Sequence, residues 1–88
     1  MTIYVDDPMP IGGKFNNYCH MWADGDDEEL HKFAAGLGLK RSWFQVSTGW
    51  GEFRHYDISP HKRALALRKG AVYMRLIEWI RRQREGKT

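Results

Sequence analysis

The chain has one cysteine, Cys19, so no internal disulfide can staple it, and the sequence reads as that of a cytoplasmic protein. Long apolar runs are missing too, so a membrane-spanning helix is not expected. The opening segment, Met1-Thr2-Ile3-Tyr4-Val5-Asp6-Asp7, has neither a basic start nor an apolar stretch, so a signal peptide is not expected. No internal repeat or low-complexity tract appears, which excludes solenoids and arrays. Diagnostic catalytic signatures are also lacking. There is no His-Glu-x-x-His, no pair of Cys-x-x-Cys motifs and no Walker or dinucleotide fingerprint, and Gly36-x-Gly38 falls at a helix end rather than after a strand. No cofactor is therefore assigned from motifs. Acidic residues are scarce beyond the first third. Through His31 there are seven acids against Lys14, whereas from Lys32 onward thirteen bases face four acids. Such a dipolar chain either steers an anionic partner to one side or neutralises itself across the fold.

What is present is enough for one thin core. The 88 residues are 42% hydrophobic and 14% aromatic, which fits a single globular domain over residues 1–88. Thr2 to Val5 is β-prone, Pro8 to Asn17 is loop-like, and Tyr18 to Ala23 is a second strand. Asp26 can cap a helix, with Glu29 three residues on as an acidic capping box. Leu30, Phe33, Ala34 and Leu37 form one apolar stripe, and Gly38 is placed to end the helix. Trp43 to Val46 and Glu52 to Ile58 read as a hairpin. Ser59-Pro60 opens a second helix that ends at Gly70, then Ala71 to Met74 gives a short strand. Residues 75–88 make a basic amphipathic helix and tail. The expected fold is a single small α/β domain, with α+β as the alternative, in which three helices cover a mixed sheet of four to five short strands.

At Cys19 to Asp24 and Glu29 to Ala34 the sequence resembles a small bacterial and phage family known as a domain of unknown function. Members carry a short strand ending in Val-Asp, a His-(Met or Leu)-x-(Ala or Ser)-Asp block, a Glu-Leu-His-x-Phe-Ala block, a His-Tyr-Asp block and a helix ending in Gly-Ala. Here these are Val5-Asp6, His20 to Asp24, Glu29 to Ala34, His55-Tyr56-Asp57 and Gly70-Ala71. The resemblance implies a compact α/β domain of phage or bacterial origin. It assigns no activity.

Three groups of residues can carry chemistry. His55 and Asp57 are two apart, so on a strand they share a face, and His20 on another strand can join them. A His/Asp cluster holds a divalent metal or works as a base with an orienting carboxylate, so His20, His55 and Asp57 are the candidates for catalysis or for a metal. A hydrogen-bonded structural histidine is the plainer alternative. Ser59, His61, Lys62 and Arg63 set a cap and three cations at one helix start, where the dipole disfavours cations and an anion would account for them. Trp50, between two glycines, and Arg81 and Arg82 on the last helix are candidate interface residues. The leading expectation is a binding module for an anionic partner: a nucleotide-like ligand, a nucleic-acid backbone or an acidic protein surface. Its rivals are a phage-type, anti-CRISPR-like inhibitor of a host defence complex acting by protein contact, and a small metal-dependent phosphoester hydrolase. Close approach of His20, His55 and Asp57 would favour the hydrolase.

Overall fold

The computed structural model describes residues 2–10, 17–48 and 51–86. Trp50 lies outside them. The strands are β1 (Ile3–Val5), β2 (Met9–Pro10), β3 (Asn17–Ala23), β4 (Phe44–Ser47), β5 (Phe53–Ile58) and β6 (Val72–Tyr73). The helices are α1 (Asp27–Gly36), α2 (Pro60–Arg68) and α3 (Leu76–Glu85), with one turn of 3-10 helix at Arg41–Trp43 before β4. The sheet order is β4-β5-β3-β1-β6, and β2 continues along the start of β3. Among the described residues only β1 and β6 pair in parallel; the other ladders are antiparallel. The fold is thus the expected small α/β domain with a mixed sheet. The two strand–helix–strand connections, β3 to β4 through α1 and β5 to β6 through α2, join strands that run the same way but are not neighbours. No helix among the described residues is long and apolar enough to cross a membrane.

Alternation along the strands sorts the side chains. Val5, Cys19, Met21, Tyr56 and Ile58 point to one face and meet Leu30 and Ala34 from α1, Leu37 just after it and Ala66 from α2 in the core. Burial pushes the Cys19 thiol up to about 11, which keeps it protonated and inert at neutral pH. Phe33 sits only at the margin of this core, because the stripe of α1 is centred on Leu30, Ala34 and Leu37.

Helix ends follow local chemistry. The Asp26 carboxylate accepts from the Glu28 amide at 2.6 Å, so the cap is a direct one onto Glu28 rather than the box with Glu29. α1 has no basic residue in its last turn. Lys62 of α2 and Lys69, which follows it, supply what is missing: Lys62 donates to the Leu37 carbonyl at 2.5 Å and Lys69 to the Gly36 carbonyl at 3.2 Å. Positive charge at a helix C-terminus is favourable against the dipole and satisfies orphan carbonyls.

The third helix departs from the expected cover. It buries no residue fully, and its Trp79 ring leans on Tyr4 and Trp22, with centroids 5.2 and 5.9 Å apart. Tyr4 and Trp22 point to the sheet face opposite α1 and α2. Trp43, expected to begin a strand, instead ends the 3-10 turn and stays 47% exposed. The acidic and basic parts of the chain meet in the ion pairs Arg54–Asp27 and Arg41–Glu28, both at 2.7 Å. The halves therefore neutralise each other in part.

α2 runs out at Gly70, whose φ of +109° L side chains rarely adopt. An alanine Cβ there would meet no atom within 4 Å, so the penalty is one of backbone conformation alone. Gly70→Ala is expected to destabilise the fold by about 1 kcal/mol, seen as a lower midpoint in urea with an unchanged slope. An unchanged midpoint would mean the chain end of α2 relaxes freely.

Candidate functional site

The second sheet face also carries the polar cluster. On β5, the residues Phe53, His55 and Asp57 share this face. His20 on β3 stands directly across from Asp57 in the ladder, and Asp6 at the end of β1 stands beside His20. The chain after Val5 leaves the regular ladder there. The Asp6 amide still donates to the His20 carbonyl at 3.2 Å, but the return bond is made by the Asp6 side chain, whose Oδ1 accepts from the His20 amide at 2.6 Å. The other oxygen, Oδ2, takes the His20 ring at Nδ1, also at 2.6 Å. Asp6 is 4% exposed, and its carbonyl accepts from Arg63 Nε at 2.7 Å. The hydrogen bond to Asp6 is the main reason the His20 pKa is raised, with burial opposing it.

His55 is held in a parallel way. Its Nδ1 lies 3.0 Å from the Phe53 carbonyl, which only accepts, so Nδ1 carries the proton. Its ring stacks on Phe53 with centroids 4.4 Å apart, and His20 meets both rings edge-on. In each histidine Nδ1 is engaged, and in the neutral ring Nε2 is left with a lone pair. These two Nε2 atoms face Asp57 Oδ1 at 4.0 Å from His20 and 3.4 Å from His55. All three atoms fall within 4.8 Å of one another. Asp57 Oδ1 is buried with no hydrogen-bond partner, while Oδ2 accepts from Gln45 Nε2 at 2.9 Å.

With both rings neutral, three lone-pair atoms converge here, whereas in the imidazolium that Asp6 favours for His20 an Nε2–H faces Asp57 instead. Two ligand atoms about 2.1 Å from one tetrahedral ion lie roughly 3.4 Å apart, which is the His55–Asp57 spacing. A carboxylate and a backbone carbonyl on the remote ring nitrogens are what metal-binding imidazoles ordinarily have behind them. The donor set suits zinc or another first-row divalent ion. The side chains of His20 and Asp57 keep 17% and 27% of their surface exposed, so one side of the cluster is open to solvent.

The structure brings together His20, His55 and Asp57. It does not bring the start of α2 into that cluster. Ser59 caps the helix, its Oγ accepting from the Lys62 amide at 3.2 Å. Arg63 turns inward to the Asp6 carbonyl and lies over the Tyr73 ring, 5.7 Å from its centroid, and His61 is exposed. Lys62 and Arg63 thus have internal partners at the Leu37 and Asp6 carbonyls. Arg81 and Arg82 are exposed on α3. His31 donates to or accepts from the Tyr56 hydroxyl at 2.7 Å and packs edge-on against Phe44, a structural placement.

Asp6 has no assigned role in the sequence reading, although Val5-Asp6 is one of the blocks singled out there. Its signal was available in the two short strands meeting antiparallel, which sets Asp6 opposite His20. The Phe53 carbonyl carries no sequence signal, since a backbone group has no residue identity. No curated protein and no solved structure matches the chain. A family model described as "Protein of unknown function (DUF4031)" matches residues 3–86, a span that takes in Asp6, His20, His55 and Asp57 alike, and the chain belongs to that family.

Proposed function

We propose that this domain is a small metal-dependent hydrolase whose divalent ion is held by His20, His55 and Asp57. The observation that carries the reading is the buried Asp57 Oδ1, without a hydrogen bond, facing two imidazole nitrogens whose partners behind them leave lone pairs toward it. Three lone-pair atoms this close repel unless a proton or a metal ion stands among them. Three protein ligands leave a fourth position on a tetrahedral ion for water, the arrangement of catalytic rather than structural zinc. The open side at His20 and Asp57 gives that water access. Such an ion lowers the pKa of its water to about 7 and supplies a hydroxide nucleophile at neutral pH.

Titration of the purified, metal-stripped chain with Zn²⁺ or Co²⁺ tests this. One ion per chain is expected, with visible Co²⁺ absorption of tetrahedral strength. At a zinc concentration of roughly 100 times Kd, folding should gain about 2.7 kcal/mol. Asp57→Ala should abolish the Co²⁺ spectrum while leaving the far-ultraviolet circular dichroism of the wild type. Absence of any saturable binding at micromolar zinc overturns the proposal.

A further inference from the structure

The cations that tie the elements together have partners inside the fold. Arg41 and Arg54 pair with Glu28 and Asp27, and Lys62, Arg63 and Lys69 donate to backbone carbonyls. α3 differs. Arg75 has Glu78 at 3.9 Å, but among the described residues no acidic side chain lies within 4.0 Å of Arg81, Arg82 or Arg84. All three are exposed. Arg81 and Arg84 are neighbours at i, i+3, where like charges repel. The helix dipole favours Arg82 and Arg84 in the last turn, while Arg81 lies ahead of that turn. A row of anions along the helix offsets the repulsion among all three.

Residue type narrows the anion. The cations of α3 are all arginines, whose planar fork matches the oxygens of a phosphate. An anionic bilayer fits poorly, because an interfacial helix sinks its apolar side into lipid. Here Leu76, Trp79 and Ile80 are half-buried on the protein, and of the apolar residues of α3 only Ile77 is exposed. Position then relates the helix to the polar cluster, since both lie on the second sheet face. Trp79 leans on Trp22, Trp22 meets Phe53, and Phe53 stacks on His55. Gln83 of α3 and Phe53 also line one small cavity of about 170 Å³.

We infer that α3 binds the phosphate backbone of a nucleic acid through Arg81, Arg82 and Arg84. Taken with the metal reading, on which this second step rests, a nucleic-acid phosphodiester is the substrate class of the His20, His55 and Asp57 centre. In the reaction a hydroxide oxygen bonds to phosphorus and one P–O ester bond breaks. The electron pair leaves on the sugar oxygen, which takes up the proton that water gave up in forming the hydroxide. The products are a phosphate monoester end and a hydroxyl end, with no oxidant or further substrate.

Fluorescence anisotropy with a labelled twelve-nucleotide DNA, single-stranded and as a duplex, tests the surface on metal-stripped protein. Three phosphate contacts predict that log K falls against log salt with a slope of about −2 on the single strand and about −2.7 on the duplex. The tighter of the two names the form bound. The triple variant Arg81→Gln, Arg82→Gln, Arg84→Gln should bind at least tenfold more weakly and lose most of the slope. Lys32→Gln with Arg68→Gln removes two exposed cations of α1 and α2 and should leave affinity within twofold, which separates a site from net charge. Unaltered thermal midpoints show that both variants fold. No binding at low salt, a slope that the triple variant keeps, or binding to phosphatidylserine vesicles without binding to either DNA overturns the surface. Zinc-loaded protein should cleave the bound form, with KM raised in the triple variant and kcat kept. If DNA and zinc both bind but the strand stays whole, the substrate step falls and the surface stands. If zinc does not bind, the metal reading falls and the surface still stands.

Discussion

Asp6→Asn is expected to keep the fold and to weaken zinc binding roughly 10- to 100-fold. The two oxygens of Asp6 do separate jobs. Oδ1 accepts from the His20 amide and Oδ2 from the His20 ring at Nδ1. An asparagine can still accept the backbone N–H with its carbonyl oxygen, so the strand junction survives. Its NH₂ group then faces Nδ1 and donates. The ring must answer by moving its proton to Nε2, the atom that faces Asp57. That Nε2–H cannot ligate an ion, and binding has to reverse the tautomer first. Asp6→Ala acts differently. It orphans the His20 amide and frees the ring, at about 1–3 kcal/mol for each buried donor left unpaired. Nitrogen-15 shifts of the His20 ring separate the two effects: the asparagine variant should show the proton on Nε2, with a urea midpoint close to wild type. Wild-type zinc affinity in Asp6→Asn would show that Asp6 does not set the tautomer.

The same pair of residues shows where sequence reasoning reaches and where it stops. A two-residue offset on one strand puts His55 and Asp57 on a common face, and this period is a property of any strand. Bringing His20 to them needs β3 beside β5, and that pairing spans the whole of α1, the 3-10 turn and β4. Nothing local encodes it. The helices were legible because caps and stops are local: Asp26, Ser59-Pro60, Gly38 and Gly70 each act within a turn of where they sit. Lys62 and Arg63 show the limit of local reasoning. From the sequence they are cations against an unfavourable dipole, and an anion is the natural remedy. In the fold their partners are the Leu37 and Asp6 carbonyls, 25 and 57 residues away, and long-range carbonyl partners leave no trace in composition or spacing. Which face each helix covers was also out of reach: Trp79 of α3 meets aromatic rings on the far side of the sheet.

Those rings support the last expected result, which is the largest on stability. Trp22→Ala should cost about 3–5 kcal/mol, a large part of what a domain of this size has. Trp22 is 1% exposed and stands at the junction of three parts of the fold. Tyr4 of β1 lies beside it at 5.8 Å, Trp79 of α3 at 5.9 Å, and Phe53 of β5 meets it edge-on at 5.6 Å. Phe53 in turn stacks on His55. Removing the indole therefore releases α3, which buries no residue of its own fully, and loosens the Phe53 ring that backs His55, a proposed metal ligand. Amide hydrogen exchange in α3 should speed up more than in α1, and zinc affinity should fall even though Trp22 touches none of the ligand atoms. Trp22→Phe distinguishes volume from polarity. The indole Nε1 is buried without a hydrogen-bond partner, a penalty of about 1–3 kcal/mol that the native state carries. Phenylalanine removes that orphan donor while keeping a ring against Tyr4, Phe53 and Trp79. Its loss of packing is offset by the relief, so its urea midpoint should lie far closer to wild type than that of Trp22→Ala. Equal losses in the two variants would show that the indole nitrogen finds a partner in solution, and that the junction depends on the full width of the tryptophan.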